Sequence, residues 1–196
     1  MLERKQSNSA AHLLSFADFT ALVERHQREL SGFLRGIVQH AEQASDLLQD
    51  TFVDAWRAAQ RGQPPLTPGA AREEIRRWLF HAAYCRAISA LRRRRLIRWE
   101  SLDDPEAADI EVLSSLASFE DRVAENAAMQ TALAGLPPKD VSCLLLIVVQ
   151  GFTAAEAAEI IGDSPQAVAK RISRAKRRLL AAYLAQEAGD QEQRRR

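Results

Sequence analysis

The sequence predicts an all-α protein: two small helical domains joined by an acidic flexible linker, the C-terminal one built on a helix-turn-helix. Three observations carry that expectation. Only 8 Gly and 7 Pro occur in 196 residues, beside long runs of Ala, Leu, Arg and Glu, a composition that favours helices and argues against an all-β fold. Apolar residues recur at three-to-four spacing along most of the chain. Charge is segregated, with net +8 over residues 61–99, −8 over 100–126 and +6 over 164–196, although the whole chain carries only +1. Two basic blocks, each ending a helical stretch, point to two polyanion-binding surfaces rather than one diffuse cationic coat.

Residues 1–14 read as a disordered tail. From Ser15, a fitting N-cap, the positions Phe16, Phe19, Leu22, Val23, Leu30, Phe33, Leu34, Ile37 and Val38 trace an amphipathic helix. A second helix over 41–59 turns Leu47, Leu48, Phe52 and Ala55 inward and leaves Asp46, Gln49, Asp50 and Asp54 largely outside. Residues 60–69 hold Gly62, Pro64, Pro65, Pro68 and Gly69 and must be a loop. A third helix over 71–96 is expected to bury Ile75, Trp78, Leu79, Ala82 and Leu91 and to end in the cationic run Arg92–Arg95. Residues 100–124 are dense in acids and also hold Pro105 and several serines, and they read as a linker of low intrinsic order.

The C-terminal segment carries the most specific local pattern. Lys139 to Val149 form an apolar helix stopped by Gly151. Thr153 with Glu156 makes a capping box for a short helix to Ile161, and Gly162 supplies a left-handed turn. Ser164 caps again, with Pro165 at the first helical position, and the last helix runs to about Ala185, leaving 187–196 as a disordered tail. Ala158, Gly162 and Val168 have helix-turn-helix spacing. On the last helix Val168, Ile172, Ala175 and Leu179 face inward. Gln166, Lys170, Ser173, Arg174 and Arg177 face outward, flanked by Arg171, Lys176 and Arg178. Small and amide side chains in the first turns and cations later suit the major groove, base edges first and phosphates after.

Several function classes are excluded. The longest apolar run, Cys143–Val149, is far short of a bilayer span, and the N-terminus has no apolar segment of a secretory signal. Cys85 and Cys143 cannot build a disulfide framework, which places the chain in a reducing, cytoplasmic setting. No catalytic constellation is present, and His12, His26, His40 and His81 lack metal-ligand spacing, so no enzyme activity, cofactor or metal is expected.

Three segments in this order resemble an extracytoplasmic-function (ECF) RNA polymerase sigma factor, group IV of the bacterial primary-sigma-like family: AEQASDLLQDTFVDAWRA, RRWLFHAAYCRAISALRRRR, and LPPKDVSCLLLIVVQGFTAAEAAEIIGDSPQAVAKRISRAKRRL. The resemblance makes 15–99 sigma region 2 and 125–186 sigma region 4. It implies that Asp46, Gln49, Asp50 and Trp56 dock on the clamp helices of the largest subunit of core RNA polymerase, while the C-terminal domain meets the flap of the second-largest. It implies that Arg76, Arg77 and Arg92, Arg93, Arg94 and Arg95 track the opened −10 strand, with Phe80 and Tyr84 stacking on its bases. Residues 60–69 lie where the family holds a flipped-out base. Duplex −35 DNA falls to Ser164, Gln166, Lys170, Arg171, Arg174 and Arg177, and an anti-sigma factor is an expected partner. By their own pattern Trp56, Phe80 and Tyr84 suit a core equally well, and the acidic linker is either a polyanion mimic in a polymerase channel or a solvated tether. Cys85 and Ser89 stand where the family often has Asn and Asp, and Ala167 and Ala169 where it has Thr and Lys. The competing readings are a stand-alone helix-turn-helix regulator and a sigma-mimicking interaction protein.

Overall fold

The computed structural model describes residues 13–100 and 131–194, so the acidic linker and most of the N-terminal tail lie outside the described residues. The α-helices with both ends among the described residues are, in order, α1 (Phe16–Val38), α2 (Ala41–Gln60), α3 (Arg72–Glu100), α4 (Pro138–Leu144), α5 (Ala154–Ile161) and α6 (Pro165–Arg194), and residues 131–134 are helical as well. A π-helical turn, Leu145–Val149, continues α4. No strand occurs among the described residues.

Local chemistry sets most of the ends. Ser15 Oγ accepts from Asp18 N at 3.1 Å and opens α1, and Gln39, in the left-handed region at φ 54°, closes it. His40 Nδ1 accepts from Gln43 N at 3.2 Å, so α2 begins one residue after that turn. At α5 the capping box is complete: Thr153 Oγ1 accepts from Glu156 N at 3.2 Å and Glu156 Oε2 accepts from Thr153 N at 2.9 Å. Gly162, at φ 67° and ψ 51°, turns the chain, and Ser164 Oγ accepts from Ala167 N at 3.2 Å to open α6.

Two helices run further than composition suggested. Glu100 closes α3 instead of opening the linker, and α6 reaches Arg194, through residues 187–194 that were expected to be disordered. Residues 187–194 hold two Glu and two Gln and no Pro, and adding a residue to an existing helix is far easier than nucleating one, which carries α6 past Gly189.

α1, α2 and α3 form a three-helix bundle, and α4, α5 and α6 form the helix-turn-helix unit. α3 packs against α5 and α1 against α4, so the two sets share one continuous core. This corrects the inward stripe expected for α3. Leu79, Phe80, Ala83, Tyr84, Ala87 and Ala90 are buried, whereas Ile75, Trp78, Ala82 and Leu91 are only half-buried. A helix with neighbours on two sides buries more than one stripe.

The capping box predicts a measurable cost. Thr153→Ala should destabilise the protein by about 1 kcal/mol, read by urea unfolding. The Thr153 backbone and hydroxyl hydrogen bonds hold the Glu156 carboxyl below its ordinary value of 4.5. A depressed carboxyl contributes stability above its unfolded pKa and loses it as pH falls through the folded one. The stability gap between wild type and Thr153→Ala should therefore narrow as pH drops below about 4.5.

Candidate nucleic-acid interface

The helix-turn-helix unit is sealed from within. Val168 and Ala175 are fully buried, Ala157, Ala158, Ile160 and Ile161 of α5 cover them, and Ile172 and Leu179 flank the contact. That packing fixes the opposite side of α6 toward solvent, where Ser164, Gln166, Lys170, Arg174 and Arg177 are all exposed. Lys170, Arg174 and Arg177 have no ion-pair partner among the described residues.

Arg171 departs from this row. Its Nη1 lies 3.2 Å from Asp140 Oδ1 and its Nε 3.3 Å from Asp163 Oδ2. The Asp140 side chain is only 4% exposed, and Arg178 Nη1 approaches its other oxygen at 3.7 Å. Partial burial opposes the charge of Arg171, but the hydrogen bonds it donates to Asp140 and Asp163 outweigh that effect and raise its pKa above the ordinary value. Asp163 is held below the usual carboxylate range, first by the Ser164 backbone N–H and then by Arg171. Arg171, expected to read bases, instead ties α6 to α4 and to the turn. Nothing local signals that role, because Asp140 stands in the first turn of α4, where an acid is ordinary.

On α3 the outcome is mixed. Arg92, Arg93, Arg94 and Arg95 are exposed at its C-terminal end. Phe80 and Tyr84, expected to stack on bases, are 0% and 5% exposed. Phe80 packs edge-on against Phe33 and Phe152, and burial raises the Tyr84 hydroxyl pKa. Neither ring offers a face to solvent in this structure. Arg76 and Arg77 are half-buried and turned onto the C-terminal unit. Arg76 reaches Glu29 at 3.0 Å and the Gln150 carbonyl at 2.9 Å, and Arg77 lies 3.8 Å from both Glu156 and Glu159. Gln150, Phe152 and Glu159 were not singled out by sequence, because nothing local marks a contact 74 residues away.

The α2 face is exposed as expected at Asp46, Gln49 and Asp50. Asp50 also accepts from Arg86 Nη1 at 2.7 Å and Asp54 from Arg86 Nε at 2.8 Å, which joins α2 to α3. Trp56 is half-buried, edge-on to Phe19 at 5.0 Å and to the exposed Phe16 at 6.0 Å. Among the described residues no group of three or more His, Cys, Asp or Glu could hold a metal, and no helix is long and apolar enough to cross a membrane. Cys85 and Cys143 are free, and burial pushes the Cys143 thiol up to about 11, which disfavours the reactive thiolate.

The Asp140 site predicts that Arg171→Ala costs about 1–3 kcal/mol, because a buried carboxylate loses its nearest donors. Urea unfolding should show this loss, while Gln166→Ala, at an exposed position, should leave stability within about 0.5 kcal/mol.

His26 supplies a second prediction. It is 4% exposed, its Nδ1 has no hydrogen-bond partner among the described residues, and burial lowers its pKa below 6.5, Glu29 opposing and Arg25, Arg76 and Arg72 reinforcing. A lowered histidine keeps the folded state neutral while the unfolded chain takes up a proton. Stability should thus fall as pH drops through about 6.5, and His26→Leu should flatten that slope in thermal melts.

The Sigma-70 region 2 family model matches residues 22–97, and the Sigma-70 region 4 model matches residues 126–179. The RNA polymerase sigma factor CnrH of Cupriavidus metallidurans is 31% identical over 170 residues, covering 83% of this chain and 85% of that one. The sigma factor NccH of Alcaligenes xylosoxydans xylosoxydans is 28% identical over 166 residues, with 83% and 85% covered. The solved structure of CnrH in complex with the cytosolic domain of CnrY matches with a TM-score of 0.60 at 27% identity, over 91% of this chain and 94% of that one. The sigma factor RpoE of Bartonella quintana, solved with the anti-sigma factor NepR, shares the fold with a TM-score of 0.63 at 24% identity, over 84% and 96%. The paired region matches, in the order the helices occupy along the chain, together with relatives such as the ECF RNA polymerase sigma factor SigM of Mycobacterium tuberculosis (28% identical over 170 residues, 85% of this chain and 78% of that one), place it in the extracytoplasmic-function branch of the sigma-70 family, the alternative sigma factors that join core RNA polymerase and direct it to promoter DNA for transcription initiation.

Proposed function

We propose that the exposed row Ser164, Gln166, Lys170, Arg174 and Arg177 of α6 reads the −35 duplex, that Arg76, Arg77 and Arg92–Arg95 of α3 hold the opened −10 strand, and that Asp46, Gln49 and Asp50 of α2 dock on the polymerase clamp helices. The observation that carries the reading is the α6 face: its cations are exposed and unpaired among the described residues, on a helix whose other side is sealed by α5. Arg171 supports that face from behind. Trp56 joins the docking surface through Phe16 and Val53, both exposed beside it. The C-terminal unit meets the flap of the second-largest subunit, and the chain acts in the cytoplasm without catalysis of its own. Because the solved RpoE chain is bound to the anti-sigma factor NepR, a protein of that kind is the proposed inhibitor.

Run-off transcription with core RNA polymerase tests the reading as a whole. Promoter-dependent transcripts should require this chain, and a helix-turn-helix regulator acting alone would yield none. Asp46→Lys is the clean test of docking, since Asp46 is exposed with no ion pair among the described residues whereas Asp50 also holds Arg86. It should weaken holoenzyme formation by about tenfold with helicity unchanged, and undiminished co-elution with core enzyme would refute the docking face. Arg174→Ala or Arg177→Ala should weaken binding to all DNA and lower the salt slope by about one unit per lost phosphate contact. Gln166→Ala should instead relax preference among −35 sequences.

A further inference from the structure

The histidines of this chain have no metal-ligand spacing to one another, but one of them stands four residues before an exposed cysteine. His81 and Cys85 occupy successive turns of α3, and both are exposed. Residues four apart on a helix lie one above the other, so their side chains can converge. Here they do: His81 Nε2 lies 3.6 Å from Cys85 Sγ. The other ring nitrogen is already committed. His81 Nδ1 lies 2.8 Å from the Ile160 carbonyl oxygen, which can only accept, so Nδ1 carries the ring proton. Nε2 therefore keeps a free lone pair on the side of the sulfur.

These features match what a borderline-soft divalent cation requires of two protein ligands. Zn–S bonds of about 2.3 Å and Zn–N bonds of about 2.0–2.1 Å, meeting at the tetrahedral angle, hold sulfur and nitrogen about 3.6 Å apart. The pair already stands at that separation. A metal-bound histidine almost always donates its second ring N–H to a carboxylate or carbonyl, which fixes the ring and its tautomer. The Ile160 carbonyl does this for His81. Sulfur with imidazole selects zinc and its neighbours over magnesium and calcium, which take oxygen ligands. The remaining thiol offers no rival site, because Cys143 is fully buried.

We propose that His81 and Cys85 form a two-ligand site for a borderline-soft divalent cation, Zn(II) by its chemistry, with water completing the tetrahedron. Binding converts the Cys85 thiol to a thiolate and passes its proton to solvent, so the exposed side of α3 gains one positive charge. Both ligands belong to one helix, and the bite is therefore a property of α3 itself. With two protein ligands instead of the four of a structural zinc centre, the site binds reversibly and the fold does not depend on it.

The experiment titrates Co(II), a coloured stand-in for Zn(II), into the full chain kept reduced by a non-thiol reductant, and follows the thiolate-to-metal charge-transfer absorption. Expected is a band that saturates at one equivalent, is removed by Zn(II) and is untouched by excess Mg(II). Zn(II) should also raise the melting temperature, since an ion that binds the folded pair stabilises the folded state. His81→Gln and Cys85→Ser should each abolish the band and the melting shift, with helicity unchanged because both side chains are exposed. Cys85→His should restore the Zn(II)-dependent melting shift without a thiolate band. Combining Cys85→Ser with Ser89→Cys moves the thiol one turn further from His81, and both signals should stay lost. The site is overturned if Co(II) gives no charge-transfer band, which would leave an ordinary thiol–imidazole hydrogen bond. It is equally overturned if the band survives His81→Gln or Cys85→Ser, or if the chain with its thiol moved to position 89 binds as well as the original.

Discussion

Phe80 meets Phe33 on one side and Phe152 on the other, each at 5.1 Å and edge-on, and that row of three rings joins both halves of the protein into one core. Each half alone has little to bury. The C-terminal unit is built from two helices of seven and eight residues packed on one long helix, and small domains are marginal when they must supply a core by themselves. Sharing Phe80 relieves that shortage. It also commits α3 to two neighbours, and the position of Arg76 and Arg77 follows from this commitment. The same turn that sends Phe80 inward lays Arg76 across the Phe152 ring, where a cation over an aromatic face gains further attraction.

What was legible in the sequence divides along the range of the forces involved. Helix ends are set by groups within four residues of each other, so Ser15, Thr153 with Glu156, Gly162 and Ser164 with Pro165 all cap or turn where their spacing says. The inward stripe of α6 was legible for the same reason, since one neighbour and a regular period decide it. The stripe of α3 was not, because periodicity describes one buried side and α3 has two. Arg171 was misread for a related reason. Its neighbours in sequence suggest a cationic groove-facing row, while its pairing with Asp140 spans 31 residues and depends on how α4 crosses α6. The π-helical turn at Leu145–Val149 is a third case. Gln150 N donates to the Leu145 carbonyl at 2.9 Å, and the extra residue in that turn carries Gln150 and Phe152 toward α3.

Charge segregation was the most informative feature of the sequence, and the structure gives its two described basic blocks different physics. The cations on α6 that face outward stand without acidic partners among the described residues, so their field extends into solvent, where it can attract a duplex at long range. Arg76 and Arg77 of α3 are held within 3.0–3.8 Å of Glu29, Glu156 and Glu159 and project little field. Arg72 at the start of the helix and the run Arg92–Arg95 toward its far end are exposed. A duplex presents its phosphates before any opening occurs, whereas a single strand exists only afterwards. On the proposed assignment, exposed cations on the duplex-reading helix and paired cations on the strand-holding helix suit the order in which the two targets appear. The ion pairs on α3 are partly exposed, and such pairs contribute little each, so on the proposed assignment a strand offering several phosphates can replace them.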